Sequence, residues 1–177
     1  GELADPVFLE AGEPVGPCDT IDEYGDAIRG LTRQELEELA DKYADAALRA
    51  KRCGFDMVMI HGGHGWLLHQ FISPLSNHRT DEFGGTLDGR MRFPLMVVDR
   101  VRQAVGRDFP IDFRMSAVEF VQGGYDIDEG VEIARRLDGK VDMIHVSAGT
   151  QRVVYSAVLM HPPVFSPDGA FVEYARQ

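Results

Sequence analysis

Two histidines separated by two glycines, His61-Gly-Gly-His64, are the first residues in this chain whose spacing points to chemistry. Two neutral imidazoles turned toward one point can both donate a hydrogen bond to the same oxygen, which polarises a carbonyl. The segment just before the pair, Phe55-Asp-Met-Val-Met-Ile60, is short and apolar and predicts a buried strand. Alternation along it places Met57, Met59 and His61 on one face and Val58 with Ile60 on the other, so His61 stands at the strand's C-terminal rim. A pair of satisfied loop histidines accounts for the same spacing without chemistry. A metal-dependent hydrolase or lyase built on His61 and His64 is a further alternative, but no third ligand is evident in the sequence.

A second candidate lies in Ile111-Asp-Phe-Arg-Met115, which alternates as a strand. Asp112, Arg114 and Ser116 share one face, while Ile111, Phe113 and Met115 share the face that would pack on helices. A buried guanidinium needs an anionic or carbonyl partner. Asp112 on the same strand is one candidate for that partner, and a ligand is the other. Val141-Asp-Met-Ile-His-Val146 predicts a third strand, followed by Ser147, Ala148 and Gly149, small groups whose amides could face a flat ligand. Arg79, Asp81, Arg90 and Arg92 read chiefly as loop-anchoring ion pairs.

The elements between these strands are predicted helices. Thr32 and Glu35 have capping-box spacing, and Leu31 with Leu36 can form a hydrophobic staple. A narrow, alanine-rich stripe from Leu36 to Ala50 follows, suited to close packing on a sheet, and Gly54 can end the helix. A long loop through Pro74 and Gly84-Gly85 leads to a second helix, with regular structure expected to restart at Pro94 after a turn over residues 90–93. Asp126 and Glu129 form a second capping-box pair, opening a helix that runs to about Leu137. The last residues, 171–177, read as the opening turns of another helix. Residues 1–30, rich in Gly, Pro and acidic side chains, are expected to be an irregular leader, and residues 31–177 to hold the strand–helix units.

Strand, helix, strand, helix, strand is the pattern of parallel βα units. No G-x-G-x-x-G follows any strand, which favours a (β/α)8 barrel over a dinucleotide-binding fold, and three strands amount to part of one. Composition limits the partners. Acidic residues outnumber basic ones 29 to 18, giving a formal charge of −11, so nucleic acid and anionic membranes are excluded as expected partners. Cys18 and Cys53 are far apart with no CxxC spacing, which suits a reducing cytoplasm. No apolar run has the length of a membrane span. A small molecule is the expected partner, with homo-oligomerisation through uncovered strand edges.

The run GFDMVMIHGGHGWLLHQFISPLSNHRTDEFGGTLDGRMRF, residues 54–93, resembles the old yellow enzyme family, in particular its 2,4-dienoyl-CoA reductase and 2-enoate reductase-like bacterial branch. The arginine strand DFRMSAVEF and the strand ending His145-Val-Ser147 extend the resemblance over roughly residues 16–177. It implies an α/β fold, a partial TIM barrel comprising about strands 4 to 6 with their helices, and places the leader after the third barrel strand. It also implies FMN and NAD(P)H as cofactors and an activity that reduces or forms an activated C=C bond in an enone, enoate or enoyl-CoA type substrate. His61 and His64 match the pair that holds the substrate carbonyl over the flavin, and Arg114 matches the arginine beside flavin N1 and the C2 carbonyl. His61 and Ser147 are further flavin contacts on the same resemblance. Trp66 stands where the family usually has a proton-donating Tyr, and Met59 where it often has Glu, which together imply a bulky, apolar substrate and leave the proton donor unassigned. The resemblance implies that the flavin-phosphate strands, the first strands of the barrel and any iron–sulfur cluster of the parent lie outside this chain. The chain thus reads as the central piece of an ene-reductase or desaturase truncated at both ends, with a non-catalytic folded fragment as the alternative.

Overall fold

In the computed structural model, which describes residues 13–22, 25–162 and 164–177, the three expected parallel strands form one sheet. They are β4 (Val58–Gly62), β5 (Ile111–Ser116) and β6 (Met143–Ser147), hydrogen-bonded in the order β4-β5-β6. The register sets Met59 opposite Asp112 and Met143, and His61 opposite Arg114 and His145. Each of those rows lies on one face, because strand residues two apart share a face.

The two faces differ in cover. Ile60, Ile111, Phe113 and Met115 belong to the main apolar cluster with the helices, and Ile111 and Phe113 have no exposed surface. On the opposite face Met57, Met59 and Met143 are 38%, 48% and 47% exposed. The first strand begins later than its apolar run suggests, at Val58, and continues through His61 to Gly62. Phe55, expected inside it, is exposed.

Helix α1 (Arg33–Arg52) carries the full capping box: the Thr32 hydroxyl accepts from the Glu35 amide while the Glu35 carboxylate accepts from Thr32 N at 2.8 Å. Leu31 and Leu36 are both buried beside it. The alanine face, with Ala40, Ala44 and Ala47 buried, makes its close approach to α3 (Leu87–Val105) rather than to the sheet.

Two expectations for the next stretch need correction. The long loop contains a short helix, α2 (Leu67–Ile72), whose residues 68–72 are all buried. It has no side-chain cap and too few residues for a visible period, so burial rather than local propensity forms it. Helix α3 does not restart at Pro94 but begins at Leu87, where Thr86 Oγ1 accepts from Gly89 N at 3.2 Å, and Pro94 lies inside it. A mid-helix proline costs roughly 3 kcal/mol. Burial of Met91, Phe93, Val97 and Val98 on the same helix offsets that cost.

Helix α4 (Ile127–Leu137) is capped by the Asp126 side chain, which accepts from Glu129 N. The reciprocal half of the expected box is replaced, because the Glu129 carboxylate pairs with Arg90 of α3. Arg79 and Asp81 form the expected anchoring pair, and Arg79 also donates to Pro17 O and Leu31 O. Short helices α5 (Val154–Met160) and α6 (Val172–Ala175) follow β6.

The leader is not wholly irregular. Its described part holds β1 (Val15–Gly16), β2 (Thr20–Ile21) and β3 (Ala27–Gly30), paired in the order β1-β3-β2. Strands of two residues leave no periodic signal. The rest of the leader lies outside the described residues. No helix among the described residues is long and apolar enough to cross a membrane.

Candidate active site at the C-terminal rim of the sheet

The side chains singled out in the sequence meet at the C-terminal ends of β4, β5 and β6. His61, Arg114 and His145 fill one rung across the three strands. The glycines after His61 are explained by what surrounds them. A Cβ on Gly62 would sit 2.2 Å from the Phe113 ring, and one on Gly63 would sit 3.0 Å from Ser116 N. The chain therefore passes close over β5 and turns back at His64, which has a left-handed backbone at φ 64°. His64 also bridges to Thr150 in the loop after β6, and Gln151 N donates to His64 O at 3.2 Å. Two strand-end loops are stitched together at this point.

The rings of His61 and His64 lie 5.0 Å apart, edge to face. They are not equivalent. His64 is 6% exposed and its Nε2 lies 2.7 Å from Ser147 Oγ. The His61 ring makes no hydrogen bond among the described residues and is half-buried at the open face. Burial, reinforced by the positive charge of Arg114, lowers the pKa of both, and that of His64 to about 4. Both rings are therefore neutral near pH 7 and able to donate through one nitrogen.

Ser147, expected to face a ligand, is 2% exposed and spends its hydroxyl on His64, while its carbonyl accepts from Ala117 N. Its direct part is to hold a histidine. Asp112 is not the partner of Arg114: no hydrogen bond or ion pair joins them among the described residues. Both oxygens of the fully buried Asp112 carboxylate lack a hydrogen bond, with His145 Nδ1 at 3.7 Å. Burial raises its pKa. The buried Nε of Arg114 likewise has no partner. Trp66 is 41% exposed at the rim, at the N-terminus of α2. Among the described residues no group of three or more His, Cys, Asp or Glu is placed to hold a metal ion.

The sequence reading did not single out a buried network below this rim. His69 of α2 accepts from Gly65 N through Nδ1 at 2.7 Å, and its Nε2 lies 2.8 Å from the Tyr125 hydroxyl, which donates to Ser116 O. Glu119 accepts from Tyr125 N and is fully buried. The only hint in the sequence is that three polar residues, His69, Gln70 and Glu119, lie within otherwise apolar surroundings.

The profile described as "NADH:flavin oxidoreductase / NADH oxidase family" matches residues 5–156. The chain belongs to that family. An NADH oxidase from Thermoanaerobacter brockii is 46% identical over 151 residues, covering 84% of this chain and 23% of the relative. A cinnamate reductase from Clostridium sporogenes is 35% identical over 166 residues, covering 85% and 24%. The solved structure of a 2-naphthoyl-CoA reductase complexed with 2-naphthoyl-CoA superposes with a TM-score of 0.74 at 30% identity, over 78% of this chain and 22% of that one. The chain thus spans about a quarter of the length of each. These likenesses agree with the old yellow enzyme resemblance and with a partial TIM barrel.

Proposed function

We propose that this chain supplies the carbonyl-activating rim and one flavin contact of an FMN-dependent NAD(P)H oxidoreductase that reduces, or forms, an activated C=C bond. The observation that carries this reading is the rung His61–Arg114–His145, in which neither the arginine nor the His61 imidazole makes a hydrogen bond or ion pair to another described residue. The half-buried Arg114 has its Nε buried without a hydrogen-bond partner, which is costly, so an anionic or carbonyl edge belongs there. The N1 and C2 carbonyl edge of a flavin meets that need, and the residues present fit it. When bound, FMN supplies hydride at its N5 position.

The remaining chemistry belongs to the chain. Arg114 holds a fixed positive charge against the ring edge where negative charge accumulates on reduction. His61 donates a hydrogen bond to the substrate carbonyl oxygen, which draws electron density from the β-carbon. His64, held by Ser147, is the second candidate donor. Trp66 forms an apolar wall and offers no proton near neutral pH, so the α-carbon takes its proton from another source or the reaction runs toward desaturation. Met59 and Trp66 favour a bulky conjugated acyl substrate, the class named for the cinnamate and naphthoyl-CoA reductases. The same reading includes a homo-oligomer in a reducing cytoplasm, in keeping with the free cysteines Cys18 and Cys53.

The experiment is stopped-flow reduction and reoxidation of the flavin in the full-length protein with Arg114→Met and His61→Ala. Arg114→Met weakens FMN binding and slows reduction by NAD(P)H, whereas His61→Ala slows reoxidation by an enone and leaves reduction intact. If both variants match the parent in both half-reactions, the assignment fails.

A further inference from the structure

The Gly65 backbone is held through both its N–H and its C=O by neighbouring side chains of one short helix. Its amide donates to His69 Nδ1 at 2.7 Å, and its carbonyl accepts from Gln70 Nε2 at 2.8 Å. Both residues are essentially buried, at 1% and 2% exposure. Gly65 follows His64, and the two carry consecutive left-handed backbones, φ 64° and 87°. Glycine adopts that conformation freely, but a histidine there is strained by about 1 kcal/mol or more and stays only where its surroundings hold it.

The atoms that form the grip are fixed by their own partners. Gln70 must turn its amide nitrogen toward the Gly65 carbonyl, which leaves its Oε1 buried with no hydrogen-bond partner. An apolar side chain at position 70 would avoid that unpaired oxygen, so Gln70 serves something other than core stability. His69 must present an unprotonated Nδ1 to the amide, and so carries its proton on Nε2, facing the Tyr125 hydroxyl at 2.8 Å. That hydroxyl donates onward to Ser116 O, and Ser116 Oγ accepts from His64 N at 3.1 Å.

We infer that His69 and Gln70 are positioning residues: by clamping the Gly65 backbone at its N–H and C=O they hold His64 in its left-handed conformation, with its ring delivered to Ser147 at the rim. This rests on the proposed role of the histidine pair for its functional meaning, but the clamp itself is a statement about geometry. Neutral His69 suits the task, since burial lowers its pKa to about 3 and a protonated Nδ1 could no longer accept.

The test is hydrogen exchange at the Gly65 amide, read by mass spectrometry at single-residue resolution, with crystal structures of four variants of the full-length protein. His69→Asn keeps an acceptor where Nδ1 stood, whereas His69→Gln moves the amide toward Tyr125 and loses it. Gln70→Met removes the carbonyl's donor, and Tyr125→Phe leaves both grips in place. We expect exchange at Gly65 to rise ~10-fold or more in His69→Gln, since one lost hydrogen bond is worth about a factor of ten. His69→Asn and Tyr125→Phe stay near the parent rate. In His69→Gln and in Gln70→Met the contact between His64 Nε2 and Ser147 is lost. Equal loosening in all four variants, or an unmoved His64 in both His69→Gln and Gln70→Met, overturns the inference. Should His69→Gln fail to fold, Gln70→Met decides alone. Failure of the flavin assignment would appear instead in the half-reactions, with Gly65 exchange still following this pattern.

Discussion

His61 and Arg114 stand opposite each other on one rung of the β4–β5 ladder, and neither makes a hydrogen bond or ion pair to another described residue. Side chains at neighbouring positions of one sheet face lie within about 5 Å at Cβ. The guanidinium therefore acts on His61 at short range and, together with burial, keeps its imidazole uncharged. On the proposed function, one rung would provide a permanent cation for a flavin edge and a neutral donor for a substrate oxygen. A cationic His61 would bind the carbonyl more tightly, but burial first and repulsion from Arg114 second lower its pKa and disfavour that form.

The two histidines should differ when removed singly. His61→Ala in the full-length protein is expected to slow flavin reoxidation by an enone on the order of a hundredfold, the scale of a lost oxyanion donor. His64→Ala is expected to cost less, because its Nε2 is already engaged by Ser147 at 2.7 Å. Stopped-flow reoxidation checks the order. A larger loss at His64 would mean that Ser147 releases the ring when substrate arrives.

Trp66→Tyr tests the position at which the family resemblance implies a proton donor. Trp66 sits at the exposed start of α2 and its side chain makes no capping bond, so the replacement leaves the helix intact. Reduction of small enones should accelerate, with general-acid help worth about 10² to 10⁴. Steady-state rates on a small and a bulky enone check this. No acceleration in a correctly folded variant places the proton source elsewhere or makes desaturation the working direction.

Stability should fall in acid with a sign set by the buried histidines. His64 and His69 have pKa values lowered to about 4 and about 3, against 6.5 for the free side chain. The unfolded chain therefore binds more protons between those values, and the contribution is complete above pH 6.5 and lost as pH falls toward 4. His64 alone accounts for about 3 kcal/mol on this scale. Glu119 acts oppositely: burial raises its pKa, so its contribution is present while protonated and lost as pH rises through the raised value. Denaturant unfolding from pH 7 to pH 4, compared with His64→Ala, checks the balance. The variant should show a flatter profile.

How much of this was legible in the sequence depends on whether the cause is local. The Thr32–Glu35 box and the Asp126 cap are local, and both helices start there. The faces of β5 follow from alternation, which put Arg114 at the rim and Phe113 in the core before any coordinates. The start of α3 at Thr86 was hidden because a proline usually opens a helix, and only the burial of residues 91–98 shows why one is tolerated inside it. Helix α2 was hidden because six residues, two of them polar, carry no readable period. Within the site, His61 and His64 fall at the rim as their spacing suggested, and Trp66, singled out by the family resemblance, lies at the same rim. The role of Ser147 as a holder of His64 could not be read, since residues 83 apart meet only through the stitching of two loops.

The last prediction concerns the 177-residue chain on its own. Strands β4 and β6 each have a neighbour on one side only in the described sheet. A parallel barrel of this type closes with about eight strands, so unpaired amides and carbonyls are left along both edges. The face that would meet the rest of a barrel exposes Met57, Met59 and Met143, which adds apolar area to the unpaired edges. A net charge of −11 opposes association at low ionic strength, but screening within about 10 Å at 0.1 M salt removes most of that repulsion. The isolated chain is therefore expected to form dimers or larger species, more so as salt is raised. FMN should bind it weakly, because the contacts proposed for it, Arg114 and His61, reach one edge of the ring, and no reductase activity should appear. Light scattering over a salt series, with the visible absorption spectrum after incubation with FMN, measures all three. A yellow, active monomer at every salt concentration would contradict both the edge argument and the need for further strands.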